Sequence, residues 1–275
     1  LMSYQPEDLY SVVLENEKTV SAEQYLVGIL AQEIDPSMEQ ETLKAQAILA
    51  RTWLYRAMGT KTSVSESELA IHAMTLSQMK AVWGDDEYLY YEKLYAAVIE
   101  TAGQCLYYGD GLAAPLFHKI SAGMTRYDQT GDCPYLVGVD CVYDAESPGY
   151  QTVKQFTKEE FVGKLNQIDD TRQLSAPVNA ADVVLTLDAQ GYVMNLQVSD
   201  ISFSAEEAAL ALGIPSLWFR LEDYADTIRV IAKGIGHGYG MSQYGADRYA
   251  VEGRDYKWIL QHYFQGCEVK DSSSR

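Results

Sequence analysis

Between Ser21 and Ile34 the apolar residues Tyr25, Leu26, Ile29 and Leu30 recur at three- and four-residue intervals, the spacing of one helix face. Ser21 followed by Gln24 reads as a capping box that opens this helix over "SAEQYLVGILAQEI", and Asp35-Pro36 ends it. Glu33 falls three residues beyond Leu30 and seven beyond Leu26, so a carboxylate continues the apolar stripe. A longer helix is predicted from Met38 to Met58, rich in Ala and Leu and capped by Ser37 with Gln40. Lys44, Ile48, Arg51 and Tyr55 share one of its faces, with Lys44 and Arg51 two turns, or roughly 10 Å, apart.

The rest of the pattern mixes both periods. Leu9 to Leu14 alternates and suits a strand, with a turn at Glu15–Lys18. Thr60 to Asp86 is polar and punctuated, read as loop with a short helix, and a helix from Glu87 to Thr101 follows behind Asp85 or Asp86. "QCLYYGDGLAAPLFHKISAG" reads as a hairpin turning at Gly109–Gly111, and "DVVLTLDAQGYVMNLQV" as another turning at Ala189–Gly191. Between them lie an irregular stretch, Met124 to Gln151, and a helix capped by Thr157 with Glu160. A short helix from Ser204 stops at Gly213. "TIRVIAKG" is a strand that runs into the glycine-rich "GIGHGYGMSQYG", after which two helices, each stopped by glycine, close the chain. The class expected is α+β, mixed sheets and hairpins with helices concentrated near both termini, in two lobes around a central cleft. One domain is expected over residues 9–269, with residues 1–8 and 270–275 as flexible ends.

Composition narrows the function. The 275 residues are 47% hydrophobic, enough for a real core, and no stretch approaches twenty apolar residues. The opening "LMSYQPEDLY" has no charged-then-apolar leader and reads as a trimmed boundary, so any membrane link would run through an anchor outside this sequence. A net charge of −18 with no basic stripe argues against nucleic acid as a partner. Twenty-one tyrosines pair flat apolar faces with hydroxyls, which suits carbohydrate as well as a protein core. The four cysteines include no Cys-x-x-Cys pair. Cys133 and Cys141, eight apart, are either a disulfide or two buried thiols.

Several chemistries fail on spacing. After Gly236 and Gly238 the third small residue of a dinucleotide fingerprint is replaced by Met241, and no Gly-Lys-Ser/Thr exists for a phosphate loop. Ser242 sits between Met241 and Gln243, outside a Gly-x-Ser-x-Gly elbow, and reads as a helix cap. The four histidines show no paired metal spacing. His237 stands apart because glycines flank it, which allows close backbone approach to a ligand.

"GIGHGYGMSQYGA" together with "QYLVGILAQEIDPSMEQETLKAQAILARTWLYR" resembles the stage II sporulation protein D family, peptidoglycan lytic transglycosylases. "PLFHKISAGMT", "PYLVGVDC" and "ALGIPSLWF" extend the resemblance over roughly Leu9 to Val269. The resemblance implies that Glu33, in "AQEI", is the catalytic acid, and that the substrate is the glycan strand of peptidoglycan outside the cytoplasm. It implies no cofactor. Lys44 and Arg51 become candidates to hold anionic sugar substituents, and Gln78, His118, Ser121, His237, Ser242, Gln243 and Tyr244 candidates to line the sugar groove. Relatives described as amidase enhancers imply an alternative, a non-catalytic protein that binds glycan or a cell-wall amidase. Two departures stand out. Where some relatives carry Cys-Asp-Thr-Thr-His-Cys-Gln, this chain reads "HAMTLSQ", and Leu76 and Ser77 cannot replace His and Cys, so no structural zinc is expected. The family's "HSTSGG" becomes His118-Lys119-Ile120-Ser121-Ala122-Gly123.

Overall fold

A computed structural model of the chain describes residues 10–175 and 177–272. The expectations for residues 1–8 and for Leu9 lie outside the described residues. The architecture is α+β, with several small sheets, and the chain divides into two compact units, Leu1–Leu116 with Ala246–Arg275, and Phe117–Gly245.

In the first unit strand β1 (Ser11–Val13) pairs antiparallel with β2 (Thr19–Ser21) and parallel with β3 (Ser63–Ser65). Helix α1 (Ala22–Glu33) starts where predicted, with Ser21 Oγ accepting the Gln24 N–H. Its apolar stripe, Tyr25, Leu26, Ile29 and Leu30, is buried. Gly28 lets a neighbouring segment come close: its carbonyl accepts the Met74 N–H at 3.0 Å, and a Cβ there would stand 2.6 Å from Ala73 Cβ. Helix α2 (Gln40–Met58) begins two residues later than expected, and Ser37 does not cap it. The Ser37 N–H instead turns back to Asp35 Oδ1, Glu39 is the N-cap residue, and the Glu39 N–H is taken by Asp247 Oδ1 at 2.7 Å. A carboxylate from far along the chain replaces the local cap, a choice sequence periodicity cannot register.

Helix α3 (Leu76–Trp83) is the short helix within the punctuated stretch, opened by a Thr75–Gln78 capping box. Helix α4 (Glu87–Glu100) follows, then β4 (Gln104–Tyr108) and β5 (Gly111–Leu112), the antiparallel hairpin expected around Gly109. Leu43, Ala47 and Leu54 of α2 join Leu94, Ala97 and Val98 of α4 in one core with the α1 stripe.

The second unit opens with β6 (Phe117–His118), which does not extend that hairpin as the sequence suggested. It is followed by β7 (Gln151–Thr157), α5 (Lys158–Asn166), the hairpin β8 (Val183–Leu187) and β9 (Val193–Val198), and β10 (Ile201–Ser204). Helix α6 (Ala205–Leu212), β11 (Phe219–Tyr224) and β12 (Thr227–Lys233) complete it. The capping box expected of Thr157 with Glu160 forms, and the helix expected from Ser204 opens with a further box to Glu207. The strands make two antiparallel sheets, β10-β9-β8 and β11-β12-β7, over a core that includes Phe161, Leu196, Phe203 and Val230.

Beyond the glycine loop come β13 (Met241–Ser242), which is the parallel partner of β6, then α7 (Gln243–Val251), α8 (Tyr256–Tyr263) and β14 (Glu268–Asp271). β14 pairs antiparallel with β4, so Lys270 and Asp271, expected in a flexible end, are ladder residues opposite Cys105 and Gln104. Among the described residues no helix is long and apolar enough to cross a membrane. No disulfide joins any of the four cysteines, so Cys133 and Cys141 are two thiols and not a bridge.

Candidate functional site

The predicted residues fall on both units, and each unit is described by itself. In the first, Glu33 is the last residue of α1 and is half-buried, one turn beyond the fully buried Ile29 and Leu30.

Lys44 and Arg51, the two predicted cations on α2, are committed to carboxylates of their own unit. Lys44 bonds Glu41 and Glu100, each at 2.7 Å. Burial alone would depress its ammonium, but Glu100 and Glu41 more than offset this and hold its pKa above the ordinary value. Arg51 is fully buried. Its Nε and one terminal nitrogen grip Glu23 at 2.8 and 2.5 Å; the remaining donors reach the carbonyls of Val98 and Gln104 and the Thr101 hydroxyl. Every N–H of the guanidinium is used inside the unit, so Arg51 ties α1, α2 and the end of α4 together and presents nothing to a sugar. Gln78 is exposed, and its side-chain oxygen accepts both the N–H and the hydroxyl of Thr75 in the α3 cap. A cavity of about 400 Å³ in this unit is lined by Tyr25, Gly28, Met74, Met79 and Tyr91 among others, and none of the predicted residues reaches it.

In the second unit the structure does bring predicted residues together. β6 lies beside β13 with His118 opposite Ser242, and the Tyr244 N–H bonds the Lys119 carbonyl. The loop between β12 and β13 packs against this pair without room to spare. Gly234 and Gly236 adopt φ of +79° and +111°; a Cβ on the first would stand 2.6 Å from the Ile120 carbonyl oxygen, and on the second 2.7 Å from His118 Cβ. Gly238 meets the Tyr192 ring at 2.5 Å in the same construction. The N–H groups of Gly234, Ile235 and Gly236 bond the carbonyls of Tyr150, Ile120 and Pro215. The glycines are therefore required by close packing within the unit, where the sequence suggested approach to a glycan.

His237 is held as well. Its Nδ1 accepts the Tyr239 N–H at 3.0 Å, and the ring also bonds the Phe117 backbone. Burial and the Arg126 guanidinium lower its pKa. His118 is buried, donates from Nδ1 to the Tyr239 carbonyl at 3.0 Å if that nitrogen carries the proton, and leaves Nε2 without a hydrogen-bond partner. Burial, with His237 beside it, pushes its pKa down to about 3.

His118 is thus neutral when folded but takes a proton near pH 6.5 once unfolded. The unfolded state binds more protons between these values, so the stability present above pH 6.5 is lost as the pH falls below it. From pH 6.5 to 5.5 the loss from His118 is about 1 kcal/mol. Urea unfolding at those two pH values should show His118→Asn losing less than the parent by this amount. Parallel pH curves would place the proton elsewhere.

Sequence reasoning missed three groups here. Arg126 bonds Asp188 at 2.6 Å and lies 4.4 Å from the Tyr239 ring centre. The Tyr192 hydroxyl bridges Ala122 N–H and the Met124 carbonyl. Asp144 accepts the Ser121 N–H and the Ser242 hydroxyl. Arg126 and Asp144 sit in the irregular stretch, where no period or motif marks them.

Residues 11–108 match the family model described as "Stage II sporulation protein". The chain is 28% identical over 279 residues to stage II sporulation protein D of Bacillus subtilis strain 168, covering 97% of this chain and 79% of that protein. It is 29% identical over 278 residues to the same protein of Bacillus amyloliquefaciens, with the same coverage. An amidase enhancer of Bacillus subtilis strain 168 is 23% identical over 89% of this chain and 40% of its own length. The chain thus resembles the stage II sporulation protein D family along nearly its whole length, with the family model itself matched over residues 11–108.

Proposed function

We propose that this protein is a peptidoglycan lytic transglycosylase in which Glu33 serves as general acid and then general base. The observation that carries the reading is the position of Glu33, half-buried at the end of an otherwise buried stripe.

One carboxyl can serve both steps. Glu33, protonated, gives its proton to the glycosidic oxygen between MurNAc and GlcNAc as the C1–O bond breaks. The resulting carboxylate takes the proton of the muramic acid 6-hydroxyl as that oxygen bonds C1, giving a 1,6-anhydro end without a water nucleophile. An ordinary glycosidase needs a second carboxylate for that role. Arg51 is left out of the substrate contacts because its donors are all used. Lys44 and Gln78 in the first unit, and His237 and Tyr244 in the second, keep some surface and are the predicted residues able to meet a sugar, whereas His118, Ser121, Ser242 and Gln243 are buried. The place of action is outside the cytoplasm, at the cell wall.

The test is mass analysis of glycan strands, with and without stem peptides, after incubation with the protein. Glu33→Gln is expected to lower release of anhydro-muramic ends by at least about a hundredfold. Cleavage that survives this substitution removes Glu33 from the role. The similarity to an amidase enhancer favours a second reading, a glycan-binding protein that stimulates a cell-wall amidase. Strands left intact by the parent protein, with faster turnover by an added amidase, would select it.

A further inference from the structure

The Asp144 side chain is completely buried in a short turn (Asp144–Glu146), and it reaches both Ser121 and Ser242, on the two segments beside the glycine loop. Its Oδ2 accepts the Ser121 N–H at 2.6 Å and the Ser242 hydroxyl at 2.8 Å. Ser242 Oγ in turn accepts the Gly245 N–H at 3.3 Å in the first turn of α7. Asp144 Oδ1 is buried and has no hydrogen-bond partner. We propose that Asp144 is the positioning residue of this corner, fixing the 118–123 segment and the start of α7 so that Tyr244 is held in one place for a glycan strand; this last step rests on the function proposed above.

The geometry says what kind of group the role needs. Two donors, the Ser121 N–H and the Ser242 hydroxyl, meet the same oxygen, Oδ2. Burial pushes the carboxyl pKa up against the hydrogen bonds from Ser121 and Ser242. The protonated acid keeps a carbonyl oxygen, so acceptance by Oδ2 does not require charge. Tyr150 and Tyr192 lie beside the carboxyl, and both hydroxyls bond backbone groups of the 122–124 segment. An amide oxygen can therefore replace the carboxyl oxygen, while a methyl group cannot.

Two measurements on the full chain separate positioning from general support. Hydrogen exchange read by mass spectrometry should show Asp144→Ala raising exchange in residues 117–124 and 241–247 by about tenfold or more, the β11–β12 hairpin staying as in the parent. Asp144→Asn should restore slow exchange in both segments. Binding of denuded glycan strands should weaken by about tenfold in Asp144→Ala and by less than about threefold in Asp144→Asn. Should Asp144→Ala fail to fold, Ser242→Ala removes one of the two donors and is expected to loosen 241–247 alone. Uniformly faster exchange across the second unit, or no change in the two segments, overturns the proposal. So does local loosening with unchanged glycan affinity. If the parent protein binds no strand at all, the proposed function falls, and the exchange measurements still decide whether Asp144 holds the corner.

Discussion

Glu23→Ala is expected to lower the free energy of unfolding by about 3–5 kcal/mol, the range for removing one partner of a buried ion pair. The Arg51 guanidinium is entirely inaccessible, and among the described residues Glu23, 17% exposed, supplies the only negative charge bonded to it. Truncating Glu23 leaves a cation in the core with three neutral acceptors, the Val98 and Gln104 carbonyls and the Thr101 hydroxyl. Those bonds lessen the penalty but do not neutralise the charge. Glu23→Gln keeps an acceptor oxygen at the same place and should cost about half as much. Urea unfolding of the three proteins at pH 7 is the measurement. A loss below about 1 kcal/mol for the alanine variant would mean that solvent or another carboxylate reaches Arg51.

Gly234→Ala has the second large effect. Two penalties add at this position. A φ of +79° is left-handed backbone, which costs a non-glycine residue about 1–2 kcal/mol. The new Cβ would also stand 2.6 Å from the Ile120 carbonyl oxygen and 2.8 Å from the Ser121 carbonyl carbon. Both are backbone atoms on the segment next to β6, so relief requires the strand to move and not a side chain to turn. Overpacking of this kind adds about 1–3 kcal/mol, giving about 3 kcal/mol in all. The same movement would pull on the Ile120–Ile235 bridge and on the Ser121 N–H bond to Asp144. Thermal unfolding of Gly234→Ala beside Gly213→Ala tests the clash. Gly213 has left-handed backbone, φ +62°, and nothing within 4 Å of a Cβ, so it carries the backbone penalty alone. Equal destabilisation of the two variants would remove the packing argument.

Local grammar was read well where the interaction that ends or starts an element lies within four residues. Thr157 with Glu160 forms the capping box the sequence predicts, Ser21 Oγ accepts the Gln24 N–H at the start of α1, and Ser204 opens the short helix expected from it. Ser242 also holds the first turn of the helix behind it. Ser37 failed as a cap for the opposite reason, because Asp247 supplies a better acceptor from across the chain. β6 was misread because a two-residue strand carries no period, and its partner, β13, is more than a hundred residues away.

The candidate residues divide along the same line. Sequence periodicity alone put Glu33 on the buried stripe of α1, because a 3.6-residue repeat determines which face a residue joins. It could also tell that the loop around His237 needed glycine, since five in twelve positions signal unusual backbone. What the glycines are for was decided by tertiary packing: they make room for Ile120, His118 and Tyr192, residues 46 to 118 positions away. Lys44 and Arg51 looked alike on one helix face, and only the folded chain distinguishes a cation at the unit's edge from one whose five donors are closed off. Partners for a charge are chosen by proximity in space, and spacing along a helix does not record it.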